Sequence, residues 1–250
     1  MWLLARYEPC TLFSSKRVEA TSTGGKTLLL PSPFNFRMAL LDAGLRVYGA
    51  STGPHLFELI RGIRFAVKPP GRVAVTNLFS KVAKPPRRDT RVRSDESEDD
   101  EGGPGMQSSI AFREYVYLLG ELVLGVSGTE PTLRQVRDIL PHVNYFGKRG
   151  SFFQLLAPPE WVGELPPGFV PLDGVVVGGQ GGLPGSFLLG TIQLMDDWGP
   201  TLTYDKVNVY TKATVALGPG KDRERRTVIL PYRATKSSRG FTIYELITEH

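Results

Sequence analysis

The 250 residues include one cysteine, Cys10, so no disulfide can form within the chain and no cysteine cluster can hold a metal. A lone thiol fits a reducing compartment. The three histidines are His55, His142 and His250, and none has the His-x-x-x-His or carboxylate–histidine spacing of a metal site. No metal and no cofactor is expected. Long apolar runs are also lacking. The amino-terminal MWLLARYEP is apolar only from Trp2 to Ala5, too short for a signal peptide or a membrane span. No membrane association is expected, and the cytoplasm is the expected location. There is no G-x-S-x-G nucleophile elbow. The glycines Gly178, Gly179, Gly181, Gly182 and Gly185 are not followed by Gly-Lys-Ser/Thr, and no helix start follows them. They read as a loop, and a glycine backbone also lets an extended RNA come close.

What the chain has in excess is glycine, proline and positive charge. Its 28 glycines and 20 prolines favour short strands and turns over long helices. A hydrophobic share of 41% is enough for a real core. The net charge of +5 conceals an acidic run, Asp95, Glu96, Glu98, Asp99, Asp100 and Glu101, and the rest of the chain is more basic still. A basic body points to an anionic partner, nucleic acid being the commonest. The plain alternative is a basic domain with no such partner.

The order of elements can be read from periodicity. Residues 2–7 form a strand. After a polar excursion, Ser32 caps a helix that has Pro33 in its first turn, buries Phe36, Ala39, Leu40 and Ala43, and closes at Gly44. Residues 55–60 add a helical turn. Residues 62–68 and 73–79, joined by Pro69-Pro70-Gly71, read as an antiparallel hairpin. Residues 81–105 are almost devoid of apolar side chains, and are either a disordered linker or a long loop projecting from a hairpin. A long strand over 112–126 follows. Thr129 or Glu130 then caps a helix carrying Leu133, Val136 and Leu140. With residues 62–79 and the insertion merged into one hairpin region, the order is close to the βαββαβ ferredoxin-like unit. Beyond residue 158, short strands are expected over 174–177, 187–195, 206–211, 214–217, 227–231 and 240–247. The reading is therefore a 1–157 domain with an 81–110 insertion and a 158–250 β-rich subdomain.

One cluster has the residue types for acid–base work. His142, Tyr145 and Lys148 could supply the base, acid and cation of a metal-independent ribonuclease, with Arg149 alongside. The same segment could instead be an RNA-binding turn, in which Lys148 and Arg149 hold phosphate. Its aromatics Tyr145, Phe146, Phe152 and Phe153 would then stack on bases or fill the core. Core filling ranks first for Phe152 and Phe153.

The segment 26–44, KTLLLPSPFNFRMALLDAG, resembles the apolar strand, proline-rich loop and helix ending Leu-Leu-x-Ala of the CRISPR-associated RAMP proteins. More narrowly, it resembles the guide-RNA 5′-handle-capping subunit of type I, Cascade-like complexes. VNYFGKRGSFFQ, residues 143–154, is similar to that family's glycine-containing turn after the second helix, and the charged insertion stands where the family carries a thumb hairpin. Many RAMP proteins place a glycine-rich loop near the carboxyl terminus; here the tract lies at 178–185, with a long tail after it.

The resemblance implies an α+β, ferredoxin-like (RRM-like) RAMP domain with a protruding thumb. It also implies a non-catalytic subunit that binds the single-stranded 5′ handle of a guide crRNA. Its neighbours would be the backbone RAMP subunit and the large subunit of a prokaryotic antiviral complex. Lys16, Arg17, Lys26 and Arg37 would line the first-helix junction, with Arg37 free to reach phosphate. Lys81, Lys84, Arg87 and Arg88 would sit on the thumb. The acidic run would keep that loop off RNA until assembly or meet a basic neighbour. Some members of the family cleave the repeat themselves, which is the endoribonuclease alternative. An unrelated basic RNA- or protein-binding module is the third.

Overall fold

A computed structural model describes residues 1–17, 20, 24–84, 107–176 and 190–247. The chain begins with β1 (Trp2–Pro9) and a short β2 (Gly24–Gly25), passes through helices α1 (Pro33–Tyr48) and α2 (Gly53–Arg61), and returns as β3 (Arg64–Lys68). The long strands β4 (Arg72–Lys84) and β5 (Gln107–Leu119) follow, then β6 (Leu122–Ser127), helix α3 (Glu130–Ile139) and β7 (Phe153–Leu155). The remainder supplies β8 (Glu160–Val162), β9 (Val170–Pro171), β10 (Val175–Val176), β11 (Thr191–Trp198), the single helical turn α4 (Tyr204–Val207), β12 (Arg223–Leu230), β13 (Tyr232–Ser237) and β14 (Phe241–Leu246). The protein is thus a mixed α+β structure whose sheets are mainly antiparallel.

The first sheet has the order β7-β1-β6-β3-β9, with β8 also pairing to β1. Alternate residues of a strand face the same side, so Leu3, Ala5 and Tyr7 of β1 meet Leu122, Leu124 and Val126 of β6 in one buried layer. Tyr7, Phe36, Phe65, Phe146 and Phe153 close the centre, with ring centroids 4.9–5.6 Å apart along the chain of contacts. Each fully buried side chain of this size contributes about 1.5–3 kcal/mol of transfer free energy.

Helix α1 begins as expected. Ser32 Oγ accepts from the Asn35 amide while Asn35 Oδ1 accepts from the Ser32 amide, a reciprocal capping box. It does not end at Gly44. A Cβ there would stand 3.0 Å from Leu56 Cδ1 and 3.3 Å from Ile139 Cδ1, so this glycine lets α1, α2 and α3 approach closely. The helix ends at Gly49, whose φ of 89° suits glycine. Thr129 caps α3 by accepting from the Thr132 amide.

The hairpin expected from residues 62–79 does not form. β3 pairs with β6 and β9 in the first sheet, whereas β4 pairs with β5 and β14 in a second sheet of order β13-β14-β4-β5-β2. Pro69-Pro70-Gly71 is a corner, not a reversal. Its partner corner is Gly120, at φ 116°, which splits the long strand expected over 112–126 into β5 and β6. The register runs from Arg64↔Ser127 to Lys68↔Val123, crosses both corners, and resumes at Arg72↔Leu119 through Lys84↔Gln107. A two-stranded ribbon therefore leaves the first sheet and bends into the second. The prolines suit this break, because a proline has no amide hydrogen to give a continuing ladder.

Residues beyond 157 contribute to all three sheets: β8 and β9 to the first, β13 and β14 to the second, and β10-β12-β11 as the third. Two expected strands are absent there. Residues 206–211 begin within α4 and end in a turn, and 214–217 form no strand beyond the isolated bridge of Leu217 to Arg223. Strand β13 was not anticipated. Leu165 and Phe169 pack against Gly125 on the first sheet. Among the described residues no helix is long and apolar enough to cross a membrane.

Candidate nucleic-acid interface

The ribbon β4–β5 creates the most distinctive surface. On one face of the pair Val73 and Val75 meet Leu118 and Val116 in the core. The same face continues outward as Asn77↔Glu114, Phe79↔Phe112 and Lys81↔Ile110, beyond the reach of the core. Phe79 and Phe112 are 64% and 46% exposed, with ring centroids 4.1 Å apart. Two exposed aromatic rings side by side, next to cations, have the chemistry of a stacking platform for unpaired bases.

Walls rise on both sides. On one side β2 runs parallel to β5, with Gly25 opposite Arg113. A Cβ on Gly25 would lie 3.0 Å from Arg113 Cδ and 3.3 Å from the Phe112 carbonyl, so the strand sits this close because it is glycine. On the other side, the Asn77 amide donates to the Gly240 carbonyl at 2.9 Å and Asn77 Nδ2 to the Arg239 carbonyl at 3.2 Å, which fixes the β13–β14 turn. The groove between them, about 430 Å³, is lined by Lys26, Asn77, Phe79, Phe112, Arg113, Glu114 and Arg239 together with Gly25. A smaller polar recess of about 110 Å³ shares Lys26, Asn77 and Glu114 and adds Arg17, Gln193 and Tyr244. Glu114 Oε2 accepts from the Thr27 amide at 2.9 Å, and Lys26 Nζ lies 3.7 Å from Oε1. Burial raises the Tyr244 phenol, the Glu114 charge adds to this, and Arg17 opposes it.

The expected residues divide clearly. Lys16, Arg17 and Lys26 come together: Lys16 bridges to Thr27, and the Arg17 amide donates to the Lys26 carbonyl at 2.9 Å. Lys148 and Arg149 sit exposed on a turn containing Gly147 and Gly150, both at positive φ. The turn is tied to this region because the Lys148 amide donates to the Ser14 carbonyl, while the Ser14 hydroxyl donates to the carbonyl of Glu114. Lys81 is exposed on the outer stretch of β4. Lys84 ends β4 opposite Gln107. Arg87, Arg88, the acidic run, the 178–185 glycine tract and His250 lie outside the described residues.

Arg37 is corrected. It is not free to reach phosphate but is 8% exposed. Its Nε donates to Asp197 Oδ1 at 2.7 Å, and its other nitrogens donate to the carbonyls of Ile60, Arg61 and Ile63. The guanidinium also lies over the Phe65 ring at 5.1 Å. It caps the carboxyl end of α2, where helical carbonyls have no partner of their own. Phe153 fills the core, whereas Phe152 is 47% exposed, contrary to expectation. His142 is exposed, and its carbonyl accepts from Arg46 Nη2 at 2.8 Å. Among the described residues no hydrogen bond or ion pair joins the side chains of His142, Tyr145 and Lys148.

Reading the sequence did not single out Arg113, Arg239 or the Phe79–Phe112 pair. The signal for the pair is the period-two series Val73, Val75, Asn77, Phe79, Lys81, in which a polar residue marks where the face leaves the core and an aromatic then reappears. Arg239 depends on a strand pairing across more than 150 residues, which no local pattern reports.

No protein-family model matches the chain, and no curated protein matches it. Among solved structures it is similar to a chain of a CRISPR RNA-guided surveillance complex, at 15% identity and a TM-score of 0.48, covering 92% of this chain and 90% of that one. It is also similar to a CRISPR protein from Archaeoglobus fulgidus, at 12% identity and a TM-score of 0.43, covering 99% of this chain and 92% of that one.

Proposed function

We propose that the chain is a non-catalytic, RNA-binding subunit of a CRISPR Cascade-like complex that seats the single-stranded 5′ handle of the guide crRNA. The observation that carries this reading is the exposed Phe79–Phe112 pair between the Lys26 and Arg239 walls. Single-stranded RNA is held by stacking its bases on aromatic rings and its phosphates on cations, and the groove offers both within one cavity. The strand order β7-β1-β6-β3, with helices between β1 and β3 and between β6 and β7, supports a ferredoxin-like RAMP domain. The β4–β5 ribbon inserted between β3 and β6 supports the thumb. Lys16, Arg17, Lys148 and Arg149 would continue the phosphate track from the groove. The backbone RAMP subunit and the large subunit would dock beside the seated handle, in the cytoplasm of a prokaryote.

The test is binding of a labelled RNA carrying the repeat-derived 5′ handle, followed by anisotropy. Lys26→Ala combined with Phe79→Ala should weaken it at least about tenfold, since one stacked base contributes about 1–3 kcal/mol. Unchanged affinity in a folded double variant would sink the reading.

A further inference from the structure

The second sheet has another face, and none of the described residues on it is buried. Residues paired directly across strands share a face, so the register builds the surface row by row. One row is Tyr115, Thr76 and Phe241; the next is Tyr117, Ala74, Ile243 and Lys236; the last is Leu119, Arg72, Glu245 and Arg233. None of these residues is buried, and Tyr117 is 52% exposed. The intervening residues Val73, Val75, Val116 and Leu118 face the core instead. This is therefore the side of the ribbon opposite Phe79 and Phe112; among the groove residues on β4 and β5, Arg113 alone falls in its register.

Its chemistry selects one kind of occupant. Tyr115 and Tyr117 are two residues apart on one strand and so stand about 7 Å apart on the same face. Phe241 lies in the row of Tyr115, across Thr76. Three cations, Arg72, Arg233 and Lys236, share this face with one carboxylate, Glu245, which Arg72 pairs at 2.9 Å and which Arg233 faces across the strands. The core of a protein–protein patch is depleted of charge, whereas an aromatic face edged along β13 by Arg233 and Lys236, with a net excess of two cations, matches planar bases on a phosphate chain.

We propose that this face is a second binding site for single-stranded nucleic acid, separate from the guide groove. Tyr115, Tyr117 and Phe241 stack bases, and Arg233 and Lys236 hold phosphates. The site goes beyond the guide-binding reading and does not depend on it, because Tyr115 and Tyr117 lie on the opposite side of the same strands from Phe79 and Phe112.

The probe is a labelled oligouridylate of roughly 15 nucleotides, near the upper site size of a small single-strand binder. It is measured on the full chain carrying Lys26→Ala and Phe79→Ala, so that the groove does not mask the second site. In that background Tyr115→Ala with Tyr117→Ala should weaken residual binding about tenfold. Arg233→Ala with Lys236→Ala should flatten the log K against log salt slope by about 1.4, for two phosphates on a single strand. The proposal is overturned if the groove variant alone abolishes binding, or if the face variants change neither affinity nor slope. It is also overturned if they leave the oligonucleotide unaffected but strip copurifying subunits, which would make the face a protein interface. The guide reading fails separately, when the groove variant leaves handle-RNA affinity unchanged.

Discussion

Arg37 and Asp197 are 160 residues apart in sequence and meet through Arg37 Nε and Asp197 Oδ1 at 2.7 Å, both side chains less than a tenth exposed. Arg226 Nε approaches the other carboxylate oxygen at 3.2 Å, and the Trp198 amide donates to Oδ1 at 2.8 Å. One guanidinium thereby ties the first helix, the end of the second helix and the third sheet together.

Removing that guanidinium leaves Asp197 short of a partner and takes a donor from each of three carbonyls, of which that of Ile60 keeps the Ile63 amide. Arg37→Ala is expected to cost about 3–5 kcal/mol, the scale of breaking one half of a buried ion pair. Arg37→Lys should recover little, since an ammonium cannot reproduce the planar fork that serves a carboxylate and three carbonyls at once. Denaturant unfolding checks both; a midpoint unchanged in Arg37→Ala would show that the pair is not structural.

Acid should loosen the same region through a different group. Asp222 accepts from Lys206 Nζ at 2.7 Å, the Ala216 amide at 2.8 Å and the Thr201 hydroxyl at 2.7 Å. These bonds, with Lys206 the largest, pull its carboxyl from 3.8 down to about 2. A group depressed on folding stabilises above its unfolded value and loses that contribution as protons bind. Stability should therefore be fully present above 3.8 and fall away as the pH drops towards 2. Asp222→Asn should be less stable at neutral pH and show a shallower acid limb in melting temperature. An acid limb identical to that of the parent protein would refute the assignment.

The elements legible in the sequence are those with local punctuation: β1, the Ser32 start of α1, α2 and α3. Two errors share one physical cause. Pro69-Pro70-Gly71 breaks a ladder wherever it occurs, but nothing local tells whether the chain then reverses or passes into another sheet. Arg37, next to Phe36, looks like the polar side of a helix. Helix α1 is instead covered on more than one side, by β3 through the Phe36–Phe65 contact and by α2 and β11, so its buried arc includes Leu41 and Arg37 as well. The site was half legible for the same reason. Lys16, Arg17 and Lys26 lie close in sequence, whereas the Arg239 wall exists through pairing of β4 with β14.

Cleavage chemistry gives an independent check. On the non-catalytic reading, repeat RNA incubated with the protein in EDTA is expected to remain intact. Lys148→Ala with Arg149→Ala should weaken binding severalfold through lost phosphate contacts, while His142→Ala should not. Scission abolished by His142→Ala would replace the binding role with an endoribonuclease.

The narrow wall of the groove makes the last prediction. Gly25 belongs to a two-residue edge strand, so little of the core depends on it, yet any side chain there meets Arg113 and the Phe112 carbonyl. Gly25→Val should push β2 away from β5 and displace Lys26 and Arg113 relative to the aromatic pair. Stability should change by no more than about 1–3 kcal/mol, the usual cost of overpacking. Handle-RNA affinity should fall well beyond what that loss explains, because stacking and phosphate contact must be met by one bound strand. Measuring both on the same preparation separates the two effects. A variant that binds RNA within twofold of the parent would show that the β2 wall does not shape the site.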